Sequence, residues 1–108
     1  MSNAAIVITD ANFGDLIGGN QPLLVNFWAE WSLDSKRMTS VADELAEDFA
    51  GKAIIGNLDT ENNQQVTNGI GLRSIPAVYI FKGGKVVERI AGLNEKFYLA
   101  QMLEKHID

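Results

Sequence analysis

Residues 23–28 read Leu-Leu-Val-Asn-Phe-Trp, a nearly continuous apolar run that follows the turn-forming residues Gly18-Gly19-Asn20. A run this short and this apolar is typical of a strand that is covered on both faces of a sheet. After it, from about Leu33 to Ala50, apolar residues recur at helical spacing. A buried strand followed by a long amphipathic helix predicts an α/β domain.

The same patterns in the rest of the chain predict the element order β-α-β-α-β-α-β-β-α. We expect strands at 6–9, 23–28, 53–58, 77–82 and 85–90, and helices at 10–17, 33–50, 63–68 and near the C-terminus. The Gly83-Gly84 pair predicts a tight antiparallel hairpin, and Asn94 is the expected N-cap of the last helix. Right-handed crossovers between parallel strands then give a three-layer α/β/α sandwich.

Size and charge narrow the classes of protein to consider. The chain has 108 residues, enough for one domain over 1–108 that folds without a disulfide or a metal. Its net charge of −5 argues against a nucleic-acid or anionic-membrane partner, since phosphates bind clustered cations. No apolar stretch is long enough to span a membrane, and no basic segment precedes an apolar block at the N-terminus. We expect a cytoplasmic, monomeric protein and set residues 1–4 aside as a tail that is disordered or left from cloning.

The segment from Val25 to Lys36 carries a family resemblance. It reads Val-Asn-Phe-Trp-Ala-Glu-Trp-Ser-Leu-Asp-Ser-Lys and resembles the active-site segment of thioredoxins, which have Trp-Cys-Gly-Pro-Cys-Lys over its last six positions. The similarity continues in Gly71-Leu72-Arg73-Ser74-Ile75-Pro76, Phe81-Lys82-Gly83-Gly84 and Ala91-Gly92. The resemblance implies the thioredoxin fold, with a central mixed sheet of about five strands and four helices. It also implies a cis bond before Pro76.

The departures from the family lie where its chemistry is carried out. The chain has no cysteine, and Ser32 and Ser35 occupy the two redox positions. A hydroxyl cannot replace the thiolates of disulfide exchange. By the resemblance, Asn26 replaces a buried Asp that accepts a proton from the second cysteine, and Asn57 replaces a Lys beneath the site. The family relationship therefore implies a protein that is redox-inactive as written, with no cofactor.

A peptide groove is the binding site that the resemblance implies. Exposed aromatic residues beside apolar neighbours often mark interfaces, and a proline at a strand boundary leaves a backbone edge that an extended peptide can pair with. We therefore expect an extended peptide or protein to bind beside Pro76, in a groove formed by Trp31, Leu33, Asp34, Ile75, Pro76 and Leu93. For Trp28, which ends a buried strand, packing beneath the loop is the better interpretation.

Catalysis by a serine nucleophile and binding of a metal ion have less support in the sequence. Ser32 or Ser35 would need a neighbouring base to act as a nucleophile, and the single histidine, His106, belongs to the last helix. A hydroxyl that caps the start of the second helix is the favoured role for one of these serines. The polar run from Asp59 to Asn63 lacks the pattern of a calcium loop, so we expect a solvated loop and no metal site.

Three interpretations of function remain open at this point. The chain is a non-catalytic thioredoxin-like module, an engineered or redesigned thioredoxin scaffold, or a thiol–disulfide oxidoreductase captured as an active-site Cys-to-Ser variant. Two replaced cysteines alone would fit the variant. The additional replacements at Asn26 and Asn57, and of two family prolines by Asp34 and Ser40, favour the first two interpretations.

Overall fold

Strands and helices alternate along the chain before a C-terminal hairpin and helix. The computed structural model describes residues 4–108, so the predicted tail at 1–4 lies, except for Ala4, outside the described residues. The elements are β1 (Ile6–Val7), α1 (Phe13–Ile17), β2 (Leu23–Trp28), α2 (Leu33–Asp48), β3 (Ile54–Asp59), α3 (Gln64–Gly69), β4 (Ala77–Lys82), β5 (Lys85–Ala91) and α4 (Lys96–Glu104).

The apolar run at 23–28 forms the centre of the sheet. The five strands lie in the order β1-β3-β2-β4-β5. Strand β2 pairs in parallel with β3 and antiparallel with β4, and β5 continues the sheet antiparallel to β4. The predicted mixed five-stranded sheet with four helices is confirmed.

Successive side chains of the central strands point to opposite faces of the sheet, so the core consists of two clusters, one on each face. Leu24, Ile55, Val78 and Ile80 pack with α2 and α4 on one side of the sheet. On the other side, apolar residues of β2, β3 and β4 pack against residues of α1 and against Val66 of α3. Helices therefore cover both faces, as a three-layer sandwich requires.

The hairpin prediction also holds. Gly83 and Gly84 connect β4 to β5 with φ angles of 62° and 80°, and Lys82 pairs with Lys85 across the turn. Two consecutive residues with positive φ are what a tight hairpin with the right-handed strand twist requires, and glycine adopts them at little cost.

Local side-chain hydrogen bonds correct several of the predicted boundaries. The N-cap of α4 is Glu95 rather than Asn94, because the Asn94 amide instead donates to the carbonyls of Ala91 and Gly92, at 3.1 Å each. Helix α1 begins at Phe13 rather than at residue 10, since Thr9 and Asn12 bond each other across a turn.

Further boundaries differ by a few residues. Strand β1 covers Ile6–Val7 rather than 6–9, although the Ile8 N–H still donates to the Asn57 carbonyl at 2.9 Å. Helix α2 ends at Asp48, two residues before the predicted end. Over residues 4–108, no helix combines the length and the apolar character needed to cross a membrane.

Candidate functional site

Ser32 caps the helix that follows the central strand. It has extended backbone angles, φ −108° and ψ 101°, and its Oγ accepts a hydrogen bond from the Ser35 N–H at 3.3 Å. The first N–H groups of a helix have no partner within the helix, and a serine at the N-cap supplies one. The expectation that one of the two hydroxyls caps α2 is confirmed.

Ser35 is enclosed in the first turn of α2. Its side chain is fully buried, and its Oγ accepts from the Ala29 N–H at 3.1 Å. Two carbonyl oxygens, of Ser32 at 2.8 Å and of Ala29 at 3.3 Å, lie within reach of its proton. A hydroxyl that is buried and bonded on both its donor and acceptor sides is a structural group, not an activated nucleophile.

The single histidine does not take part in this arrangement. His106 Nε2 lies 2.8 Å from Glu88 Oε2, at the end of α4 beside β5. Neither Ser32 nor Ser35 has a hydrogen bond to this imidazole, so the base that serine catalysis would require is not at the site.

Asn26 and Asn57 face each other across the central strands. They are register partners in β2 and β3, and Asn26 Nδ2 donates to Asn57 Oδ1 at 3.0 Å. Asn26 is buried, and its Oδ1 has no hydrogen-bond partner among the described residues. The two amides form a neutral pair at positions where the family resemblance implies an Asp and a Lys.

Trp31 and the loop before β4 line a small cleft. The bond between Ile75 and Pro76 is cis, as predicted. Trp31, which is 70% exposed, lines with Ile75 a cleft of about 170 Å³. We call it the Trp31 cleft; its other lining residues are Thr60, Thr67, Leu72, Arg73 and Ser74.

The remaining predicted groove residues lie outside this cleft. Leu33 and Leu93 are exposed, at 62% and 55%, but do not line it, and neither does Pro76. Asp34 pairs with Arg37 at 3.6 Å within the first turns of α2. The structure therefore brings Trp31 and Ile75 together, whereas a groove that includes all six predicted residues stays a prediction.

Sequence reasoning did not single out the polar lining of the Trp31 cleft. Arg73 and Ser74 belong to the segment whose match to the family was noted, so their proximity to Ile75 could have been inferred from it. Thr60 and Thr67 come from the end of β3 and from α3, and no local pattern marks them.

A larger open cleft lies on the other side of the strand ends. It has a volume of about 530 Å³ and is lined by Trp28, Glu30, Lys36, Asp43 and Asn57, among others. Trp28 is half-buried there, in agreement with packing beneath the loop. Lys36 pairs with Glu30 at 3.3 Å, and Asp43 and Asp59 leave the lining with more negative than positive charge.

The chemistry available at this site is limited. The chain has no thiol with which to exchange a disulfide. Among residues 4–108, no group of three or more His, Asp or Glu side chains is placed to hold a metal ion. Asp59 accepts hydrogen bonds from the Glu61 N–H and the Asn62 amide within its own loop.

Comparisons with known proteins agree with the geometry. The sequence model of the Thioredoxin family matches residues 4–105. Thioredoxin 1 of Nostoc sp. is 39% identical over 106 residues, covering 97% of this chain and 99% of the relative. Thioredoxin 2 of Chlorobaculum tepidum is 39% identical over 108 residues, covering 99% of each.

A solved structure shows the same fold. A mutant thioredoxin from Halobacterium salinarum superimposes with a TM-score of 0.87 at 24% identity, covering 100% of this chain and 96% of the other. Together with the sequence matches over almost the whole chain, the shared fold identifies this cysteine-free chain as a member of the thioredoxin family.

Proposed function

We propose that this chain is a non-catalytic thioredoxin-like module that binds an extended peptide segment of a partner protein beside Pro76. The observation that carries the proposal is the contrast at the site. The redox positions hold one hydroxyl that caps α2 and one that is buried and hydrogen-bonded to the backbone, while the neighbouring Trp31 remains 70% exposed. The chain has no thiol for disulfide exchange, but it presents an exposed aromatic side chain that suits contact with a protein partner.

The apolar character of this surface favours a peptide as the partner. Trp31 and Ile75 offer apolar area, and Thr60, Thr67 and Ser74 add short hydroxyl side chains to the same cleft. A cleft of about 170 Å³ suits one or two side chains rather than a whole small-molecule cofactor, which fills several hundred Å³. Large aromatic residues are also the ones that most often dominate binding energy at protein interfaces.

The interpretation as a trapped Cys-to-Ser oxidoreductase fits the structure less well. A trapping variant changes the nucleophiles and leaves the surrounding residues as they were. Here the buried Asn26 and its partner Asn57 form a neutral hydrogen-bonded pair, so positions beyond the nucleophiles are also adapted to a site without proton transfer. An engineered or redesigned scaffold is compatible with the same pair and differs from a natural module only in lacking a partner.

Selection of peptides tests the proposal. Random dodecapeptides without cysteine are displayed and selected on the wild-type protein, on Trp31→Ala and on Phe97→Ala. Phe97 is a matched control, because it is 71% exposed and does not line the Trp31 cleft. We expect peptides that bind the wild type and Phe97→Ala but bind Trp31→Ala at least about tenfold more weakly, as interface aromatics do.

A second measurement separates binding from residual chemistry. The purified protein should not accelerate insulin reduction by dithiothreitol above a buffer blank, because it has no sulfur nucleophile. The proposal would be contradicted if the selected peptides bound all three proteins equally, or if the selection yielded no binding peptide. The monomeric state and the cytoplasmic location stay predictions, to be checked by size-exclusion chromatography and cell fractionation.

A further inference from the structure

A second cleft lies beside the Trp31 cleft and holds two arginines. Its volume is about 250 Å³, and its lining includes Leu72, Arg73, Ser74, Tyr79, Arg89 and Ile90. We call it the arginine cleft. No Asp or Glu side chain lines it, although the chain has fourteen of them against nine Lys and Arg. The cleft is therefore positively charged on a protein whose net charge is −5.

The two guanidinium groups have no ion-pair or hydrogen-bond partner within the described part of the chain. Five of the nine Lys and Arg side chains form ion pairs with carboxylates over residues 4–108. Arg73 and Arg89 form none, and neither donates a hydrogen bond to a described residue. A guanidinium presents five N–H donors in a planar fork that matches a carboxylate, so both side chains keep their full capacity for an anion.

Strand pairing holds Arg89 in place. It is the register partner of Tyr79 across β4 and β5, and its guanidinium carbon lies 5.8 Å from the centre of the Tyr79 ring. The ring attracts the cation and orients it without neutralising its charge. The adjacent acid, Glu88, bonds His106 and Lys105 instead. Neighbouring residues of a strand face opposite sides, which keeps this carboxylate away from the cleft.

The two clefts share one wall. Leu72, Arg73 and Ser74 line both the Trp31 cleft and the arginine cleft. A peptide whose apolar side chain enters the Trp31 cleft therefore passes directly beside Arg73. The arginine cleft, on the far side of this wall, is also lined by the buried Ala77, and a buried apolar residue there would reduce the solvent screening of a bound charge.

We propose that the arginine cleft binds a side-chain carboxylate of the partner peptide, so that the module selects extended segments with an acidic residue close to an apolar anchor. The inference rests on the proposed function for its ligand, but the charged site can be tested without a peptide. Arg73 and Arg89 supply the charge, and the Trp31 cleft supplies the apolar contact.

The first experiment uses small probes. ¹⁵N chemical shifts are followed while capped glutamate, N-acetyl-glutamate N-methylamide, or the matching capped glutamine is added. We expect saturable shifts at 71–74 and 89–91 for the glutamate only, weakened by raising NaCl. The double variant Arg73→Gln/Arg89→Gln should lose this binding by about tenfold or more.

A charge-matched variant serves as the control. Lys52→Gln/Lys85→Gln also removes two positive charges, at the two remaining Lys and Arg residues that form no ion pair among residues 4–108. Neither lysine lines the arginine cleft. It should bind capped glutamate as the wild type does. Equal shifts with capped glutamine, or unchanged binding in the arginine variant, would overturn the inference.

The peptide selection distinguishes this inference from the proposed function. Peptides that depend on Trp31 should carry Asp or Glu at a fixed distance from their apolar anchor, and this preference should vanish when selection is repeated on Arg73→Gln/Arg89→Gln. Trp31-dependent peptides without any acidic preference would overturn the inference and leave the proposed function standing. A selection without Trp31-dependent peptides would refute the peptide ligand, whatever the capped glutamate shows.

Discussion

Asn26 of β2 donates its side-chain amide to Asn57 Oδ1 at 3.0 Å, and the two residues are register partners across β2 and β3. The pair is neutral, and one oxygen of the buried Asn26 has no hydrogen-bond partner among the described residues. The resemblance to thioredoxins implies an acid and a lysine at these positions. By that resemblance, two neutral amides stand in place of two ionisable groups, which bears on the stability of the fold and on proton transfer at the site.

The substitution Asn26→Asp should destabilise the fold at pH 7 by about 1–3 kcal/mol, since it places a carboxylate in a buried position. Burial raises the pKa of such an acid above its unfolded value of about 3.9, so the deficit is absent below pH 4 and complete above the raised pKa. Urea unfolding of both proteins between pH 4 and 8 measures it. A deficit that does not grow with pH would contradict this account.

A double-mutant cycle tests the coupling within the pair. Asn57→Lys introduces a cation beside residue 26, so Asn26→Asp/Asn57→Lys should be more stable than the sum of the two single effects by about 0.5–3 kcal/mol. The free energies of unfolding of the four proteins at pH 7 provide the comparison. Strict additivity would mean that the two positions do not interact.

Restoring both cysteines should recover only weak reductase activity. Ser32→Cys and Ser35→Cys place two thiols at the N-cap and three residues later in the first turn of α2, where a disulfide can form, and the helix N-terminus lowers the pKa of the first thiol. Asn26 cannot accept a proton from the second thiol, so adding Asn26→Asp should raise insulin reduction by about tenfold or more. A double revertant that is already as fast as an ordinary thioredoxin would favour the interpretation as a trapped enzyme.

Glu88 should contribute a small, acid-sensitive part of the stability. Its hydrogen bond with His106, opposed by partial burial and aided by Lys105, lowers the pKa of this carboxyl below its usual 4.5. A lowered folded-state pKa stabilises the fold above the unfolded value of 4.5, and this contribution is lost as pH falls through the folded value. Glu88→Gln should thus cost up to about 1 kcal/mol at pH 6, and less near pH 3.

The control for this prediction is Glu104→Gln. Glu104 is the last residue of α4, two residues before His106, and it is exposed and forms no ion pair among residues 4–108. Its substitution should leave the free energy of unfolding unchanged within about 0.5 kcal/mol at both pH values. A loss as large as that of Glu88→Gln would show that removing a negative charge near the C-terminus, rather than breaking the contact with His106, is responsible.

A side chain at position 56 should destabilise the fold. A Cβ there would lie 2.5 Å from Ile8 Cδ1 and 2.7 Å from the Ile6 carbonyl oxygen, where β3 pairs with β1. Gly56→Ala should therefore lower the thermal stability by an amount equivalent to about 1–3 kcal/mol. Gly69→Ala is the matched control, because nothing lies within 4 Å of its added Cβ. Equal melting temperatures for the two variants would refute the steric argument.

Local sequence determined the elements and the loss of redox chemistry. Apolar periodicity places β2 and α2, the Gly83-Gly84 pair makes the hairpin, and Ser32 caps the helix, because each depends on residues within a few positions of one another. The absence of a thiol is likewise a property of composition alone. One local prediction was wrong: the N-cap of α4 is Glu95 and not Asn94, because the Asn94 amide donates to the carbonyls of Ala91 and Gly92.

Only the tertiary structure decided which distant residues meet. The register of β2 on β3 joins Asn26 to Asn57, and the approach of β5 to the loop before β4 brings Arg89 into the same cleft as Arg73. No spacing in the chain encodes either contact, because strand order and register follow from burying both apolar faces of the sheet at once. The charge of the arginine cleft is thus a consequence of packing, although both of its arginines are visible in the sequence.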